Sequence, residues 1–234
     1  MKKALSLITV MVCLFLTSAC FDAPADDLRT LETKAANGEA KAQFSLGLMY
    51  YNGNGVRQDK AKAIEWYEKA AAQGYVTAQC NLGLMYYNGE GVRQDKAKAI
   101  ELFEKAAAQG YVTAQYNLGL MYYNGEGVKQ AYVKAIEWYE KAAAQGYASA
   151  QLNLGFMYDD GEGVRQDKAK AIEWYKKAAA QGNVSAQYNL GVIYAKGEGV
   201  KQDYAMAKEW FGKACDNGDQ ESCNKYKALN TKGY

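Results

Sequence analysis

Ser222-Cys223-Asn224-Lys225 is the single Ser-x-x-Lys in this chain of 234 residues. That spacing sets a hydroxyl and an amine one helical turn apart, as in serine acyl-transfer enzymes. The Lys-Thr-Gly element that should accompany it is missing, and in a lysine-rich chain one match is expected by chance. A second candidate chemistry is phosphate binding at the Gly-x-Gly loops, such as Gly53-Asn54-Gly55. No Gly-Lys-Ser/Thr follows, and each loop comes after a helical pattern, not a strand, so the nucleotide reading fails. Asp159-Asp160 could suggest a glycosidase pair or a Ca²⁺ site, but adjacent residues on a helix point about 100° apart and no ligand-loop spacing surrounds them. The chain has no histidine, the commonest general base and metal ligand. These residues predict no catalytic group, no metal and no cofactor.

The elements around them repeat. A block of 36 residues recurs five times, and the glycine of each Leu-Gly pair marks the period: Gly47, Gly83, Gly119, Gly155 and Gly191. A period of this size indicates an α-solenoid, in which each unit buries its apolar side against its neighbours. In residues 40–75, Ala42, Leu46, Met49 and Tyr50 have helical spacing, and Asn52-Gly53-Asn54-Gly55 stops the helix. Asp59 is a fitting N-cap for a second helix that runs to about Ala72 with Ala63, Ile64, Tyr67 and Ala70 on one face. Ala131 stands where Asp59, Asp95 and Asp167 stand, so the helix after it should start more weakly. The 23 glycines recur at fixed places, which argues for defined turns instead of disorder.

Residues 1–19 read as a secretory signal: Lys2 and Lys3, an apolar run from Ala4 to Leu16, then small residues. The run is short for a membrane span. Leu16-Thr17-Ser18-Ala19-Cys20 resembles a lipoprotein cleavage box, with Cys20 as the lipidated residue and Thr17 as a departure. Ala23-Pro24-Ala25 offers ordinary secretion as the alternative. Removing Lys2 and Lys3 leaves 26 basic and 26 acidic residues. Such a balance gives no basic stripe for nucleic acid. The expected address is the periplasm, as an outer-membrane lipoprotein or a soluble exported protein, with membrane contact only through the lipid.

The recurring Ala-Gln-x-x-Leu-Gly, Met-Tyr, Gly-x-Gly-Val, Ala-Ile-x-Trp-Tyr and Gln-Gly elements resemble the Sel-one-like repeat family, relatives of the tetratricopeptide repeats. The resemblance covers about residues 28–228. It implies an all-α, right-handed solenoid of antiparallel helix pairs: a linker and capping helix over 20–38, five repeats over 39–219, and a capping helix and tail over 220–234. Cysteine-rich bacterial members of the family carry a disulfide at the spacing of Cys215 and Cys223. In an oxidising compartment a loop that short stabilises by roughly 2–3 kcal/mol. Cys80 stands where Tyr116 and Tyr188 stand in other copies and reads as an inert thiol, since no histidine is present to activate it.

Ala42, Gln43, Leu46, Gly47 and Tyr50 keep their identity in all five copies and span an arc of about 140° on the first helix. That arc must pack against neighbours. The positions that differ lie opposite, and the resemblance places the first helices on the concave face. The expected partner-binding residues are therefore Phe44, Leu48, Tyr51 and Asn52; Leu84, Tyr87 and Asn88; Tyr116, Leu120, Tyr123 and Asn124; Leu152, Phe156, Asp159 and Asp160; and Tyr188 with Lys196. Aromatic and amide groups of this kind suit a protein or peptide partner. Trp66, Trp138, Trp174 and Trp210, with Tyr67, Phe103, Tyr139, Tyr175 and Phe211, recur too faithfully for a variable site and are expected in the core. The expected function is an exported binding scaffold. The alternatives are a peptidoglycan-associated role in the cell envelope or, as some relatives imply, a β-lactamase-like hydrolase.

Overall fold

The computed structural model describes residues 28–234, all of whose regular structure is helical. The signal segment, Cys20 and the start of the linker lie outside the described residues. The chain divides between Gln130 and Ala131 into two units. In the first, α1 (Leu28–Ala36) precedes the pairs α2 (Ala40–Asn52) with α3 (Lys60–Ala72) and α4 (Val76–Asn88) with α5 (Lys96–Ala108), followed by α6 (Val112–Asn124). In the second, α7 (Tyr132–Ala144) precedes α8 (Ala148–Asp160) with α9 (Lys168–Ala180) and α10 (Val184–Lys196) with α11 (Tyr204–Asp216), followed by α12 (Gln220–Thr231). Within each unit every helix packs on the next in sequence. The helix pairs fall where the periodicity puts them.

The two helix types are built differently. The second helix of each pair is amphipathic: α3 buries Ala63, Ile64, Tyr67 and Ala70 and leaves its Lys and Glu residues in water. Its start is fixed by a side-chain cap. Asp59 accepts from the Lys62 N–H at 3.0 Å, and Asp95, Asp167 and Asp203 repeat the contact at 2.9 Å. Ala131 makes no such bond, as its sequence position suggests. The first helix of each pair is packed more tightly. Gly47 faces the ring of Tyr67, and a Cβ there would stand 2.5 Å from Tyr67 Cδ1. Glycine costs about 1 kcal/mol relative to alanine inside a helix. Here it lets two backbones approach around a fully buried ring, and Gly83 against Phe103 and Gly191 against Phe211 repeat the arrangement.

A buried amide joins successive pairs. Gln79 Nε2 donates to the Ala71 carbonyl at the end of α3 (3.2 Å), while its Oε1 accepts from Gln109 Nε2 at the end of α5 (2.8 Å). Gln43, Gln151 and Gln187 make the same two bonds, the last with Asn217 in the donor's place.

One expectation is corrected. Tyr67, Phe103, Tyr139, Tyr175 and Phe211 are core residues, but the four tryptophans are only half-buried. Each lies under a lysine one turn on, with Lys69, Lys141, Lys177 and Lys213 Nζ at 3.9–4.2 Å from the ring centres. Leu102, which replaces tryptophan in the second copy, is buried. Cys80 is buried. Cys215 and Cys223 bond to each other as expected, with Cα atoms 4.6 Å apart, and tie the end of α11 to α12.

Gly47→Ala should lower stability by about 1–2 kcal/mol, because the overpacking against Tyr67 exceeds the gain in helix propensity. Ala131→Asp should raise it by about 1 kcal/mol. Urea unfolding followed by circular dichroism measures both, and a stabilised Gly47→Ala protein would disprove the close-approach account.

Candidate functional site

A pair of residues that differs among the copies stands at the C-terminal ends of the first helices: Tyr51-Asn52, Tyr87-Asn88, Tyr123-Asn124, Asp159-Asp160 and Ala195-Lys196. A helix end exposes carbonyls without intrahelical donors. Each of these ends is closed in the same way. The glycine that follows adopts the left-handed conformation, Gly89 with φ 73°, and its N–H returns to the carbonyl of Met85. A glutamine seven residues on then caps one more carbonyl, as with Gln58 Nε2 on the Tyr51 oxygen (2.8 Å) and Gln94 on that of Tyr87 (2.7 Å). Gln130, Gln166 and Gln202 do the same at Tyr123, Asp159 and Ala195. The framework under the variable side chains is therefore constant.

In the first unit a glutamate from the next loop locks this edge. Glu90 Oε2 accepts from the Tyr51 hydroxyl at 2.9 Å and from Lys60 Nζ at 2.6 Å, while Oε1 accepts from Asn88 Nδ2 at 2.9 Å. Glu126 repeats the pattern with Tyr87, with Lys96 at 3.1 Å and with Asn124 Nδ2 at 3.3 Å. The loop reaches Lys60 because the residue after Glu90 is Gly91, where a Cβ would lie 2.6 Å from Lys60 Cβ. Burial works against ionisation of both glutamates, but the bonds from Lys60, Tyr51 and Asn88 hold Glu90 below its ordinary range, and those from Tyr87, Lys96 and Asn124 hold Glu126 there too. Burial, then Glu90, pushes the Tyr51 phenol up to about 12.

In the second unit Asp159 replaces the tyrosine. Lys168 Nζ lies 2.6 Å from Asp159 and 3.6 Å from Glu198, which also pairs with Lys196 at 3.2 Å. Asp160 is left beside other acids, and burial, then Asp159 and Glu162, raises its carboxyl above the ordinary value.

The expected binding residues thus have different accessibilities. Asn52, Asn88, Asn124, Asp160 and Lys196 are exposed. Phe44, Leu48, Tyr51, Tyr87, Leu152, Phe156, Asp159 and Tyr188 are half-buried, and Leu84, Tyr116, Leu120 and Tyr123 are buried. Phe44 stacks on Tyr67 and Tyr75 with ring centres 5.6 and 5.0 Å apart. Tyr188 Oη donates to Glu221 at 2.6 Å. Sequence reasoning missed Glu90, Glu126, Lys60, Lys96 and the capping glutamines. The constancy of the glutamines and glutamates was the available signal: the capping glutamine is present in all five copies and Gly-Glu-Gly in the last four, while Asn54 stands in the first copy, which only α1 precedes.

The Sel1 repeat model matches residues 40–75, 76–111, 112–147, 148–183 and 184–219. Among solved structures, a protective antigen of uropathogenic Escherichia coli that displays an SLR fold is 40% identical with a TM-score of 0.86, over 88% of this chain and 44% of its own. A Sel1 repeat protein from Oxalobacter formigenes is 33% identical with a TM-score of 0.77, over 86% of this chain and 80% of its own. The secretory immunoglobulin A-binding protein EsiB of Escherichia coli is 43% identical over 44 residues, 19% of this chain and 9% of that protein. The chain therefore spans less than half the length of either Escherichia coli relative.

Because the folded carboxyls of Glu90 and Glu126 sit below their ordinary value of 4.5, their ties contribute fully above that value. The contribution is lost as pH falls through the lowered folded values. Urea midpoints measured from about pH 5 downwards should decline, and Glu90→Gln with Glu126→Gln should decline less steeply. Parallel pH profiles would remove these glutamates from the account.

Proposed function

The chain belongs to the Sel1 repeat family, and on that premise we propose a non-catalytic scaffold that takes a protein or peptide partner on the ends of its first helices, each unit presenting its own set. One observation carries this reading: the copies keep their capping and inter-repeat contacts and diverge in the side chains those contacts hold in place. Selection for folding alone gives no reason for Tyr-Asn to become Asp-Asp in one copy and Ala-Lys in another on the same backbone. The exposed members Asn52, Asn88, Asn124, Asp160 and Lys196 would meet the partner first, with Tyr51 and Tyr87 as half-buried aromatic contacts. The family's repeats typically serve protein interaction, and the name of one relative records binding of an immunoglobulin; both support a protein as the partner class.

We also propose export. The Cys215–Cys223 disulfide supports an oxidising compartment, and the signal-like residues 1–19 with Cys20 support a lipid anchor.

The test is capture of cross-linked partners from intact cells by the full chain. Asn52→Arg, Asn88→Arg, Asn124→Arg and Asp160→Arg together should abolish capture and leave helical content unchanged. Glu65→Arg with Glu104→Arg, exposed on second helices, should leave capture intact. If the first set captures the same partners at wild-type yield, the edge is not the binding face.

A further inference from the structure

Three of the exposed edge residues share a reactive sequence. Asn52, Asn88 and Asn124 each stand between a tyrosine and a glycine. Asparagine before glycine can lose its amide: the glycine backbone nitrogen attacks the asparagine Cγ, the Cγ–N bond breaks and ammonia leaves. Water then opens the resulting succinimide to aspartate or isoaspartate. The sum is one water in, one ammonia out and one new carboxylate, with no other reactant. Local sequence gives the three sites equal reactivity, because Tyr-Asn-Gly is identical in each.

The fold does not treat them equally. The attacking nitrogen is restrained alike in all three, since the N–H groups of Gly53, Gly89 and Gly125 are bonded to the carbonyls of Met49, Met85 and Met121. The difference lies in the amide under attack. Asn88 Nδ2 is held by Glu90 at 2.9 Å, and Asn124 Nδ2 by Glu126 at 3.3 Å. At the first copy the corresponding loop residue is Asn54, so no carboxylate stands two residues beyond Asn52. For Asn88 and Asn124 the side chain must release its glutamate before Cγ can turn onto the glycine nitrogen.

We propose that Asn52 is a site of spontaneous deamidation, and that Glu90 and Glu126 protect the equivalent asparagines of the next two repeats. The fold accepts the product, because the fourth copy carries Asp160-Gly161 at this very position, at the end of a helix as long as α2. The conversion adds a negative charge to the first repeat's edge and replaces an amide donor with an acceptor. This chemistry stands whether or not that edge takes a partner.

The experiment incubates the folded full chain in mildly alkaline buffer and reads the gain of one mass unit at each asparagine by fragmenting the proteolytic peptides, because Asn54-Gly55 shares a peptide with Asn52. Asn52 should convert at least about tenfold faster than Asn88 or Asn124, the effect of one hydrogen bond to a charged group. Asn54→Glu should slow conversion of Asn52 to the rate of Asn88, whereas Asn54→Gln, which removes the second Asn-Gly without adding a carboxylate, should leave it fast, and in urea all three should convert alike. Equal rates in the folded chain would overturn the proposal. So would an unaltered rate in Asn54→Glu, or a faster Asn52 that persists in urea. Asn37-Gly38 and Asn217-Gly218 follow helices of the other type and serve as separate readouts.

Discussion

A buried glutamine side chain, satisfied on both of its polar atoms, decides how one helix pair meets the next. Gln79 is 5% exposed, and its amide reaches back to the end of α3 while its carbonyl receives the amide at the end of α5. A buried primary amide without partners is costly, so the contact tolerates little sliding of one pair against another. It also adds a second donor to the Ala71 carbonyl at the end of α3, which the Gly74 N–H already serves. One side chain therefore performs helix capping and repeat registration together. That accounts for its presence in all five copies, where an apolar residue would supply burial but no registration.

Much of the architecture was legible because period and packing are the same fact in a repeat. Gly47, Leu46 and Tyr67 recur because each copy must offer its neighbour the surface its neighbour offers in return. The helix limits followed from Gly53 and Asp59, whose backbone and capping preferences are local. The less legible part was non-local. Glu90 acts on Tyr51 and Lys60, 39 and 30 residues away, and no local pattern says that a loop glutamate crosses to the preceding pair. Constancy marks a residue as constrained without naming the constraint. The tryptophans misled for a related reason. They are as constant as Tyr67, yet what holds them is a lysine one turn on and the edge of the neighbouring pair, which leaves each ring half open.

The variable edge is visible as a place where copies diverge, but no local pattern shows the internal partners of its side chains. Tyr51 and Tyr87 hold glutamates, and Asn88 and Asn124 orient the same glutamates. Their outward atoms are thus pre-positioned, and a group fixed before binding loses less freedom when a partner arrives. Under the proposed function the same fixing makes the edge a compromise between folding and recognition. A tyrosine there cannot change without loosening the junction to the next pair, whereas the asparagines and Lys196 are freer to vary.

The replacement of tyrosine by Asp159 changes the physical character of one junction. Where Tyr51 and Lys60 converge on Glu90, a phenolic hydrogen bond accompanies the ionic contact. Between Lys168 and Glu198 the contact is ionic alone and longer, at 3.6 Å, with Asp159 competing for the same ammonium. Dissolved electrolyte screens charges near the surface and leaves a neutral donor much less affected. Rising ionic strength therefore softens the Lys168–Glu198 link before the Tyr51–Glu90 link. In an array where each element is steadied mainly by its neighbours, a softer link marks where fraying stops or starts. The medium outside the protein thus grades copies that look alike in sequence into firmer and looser members.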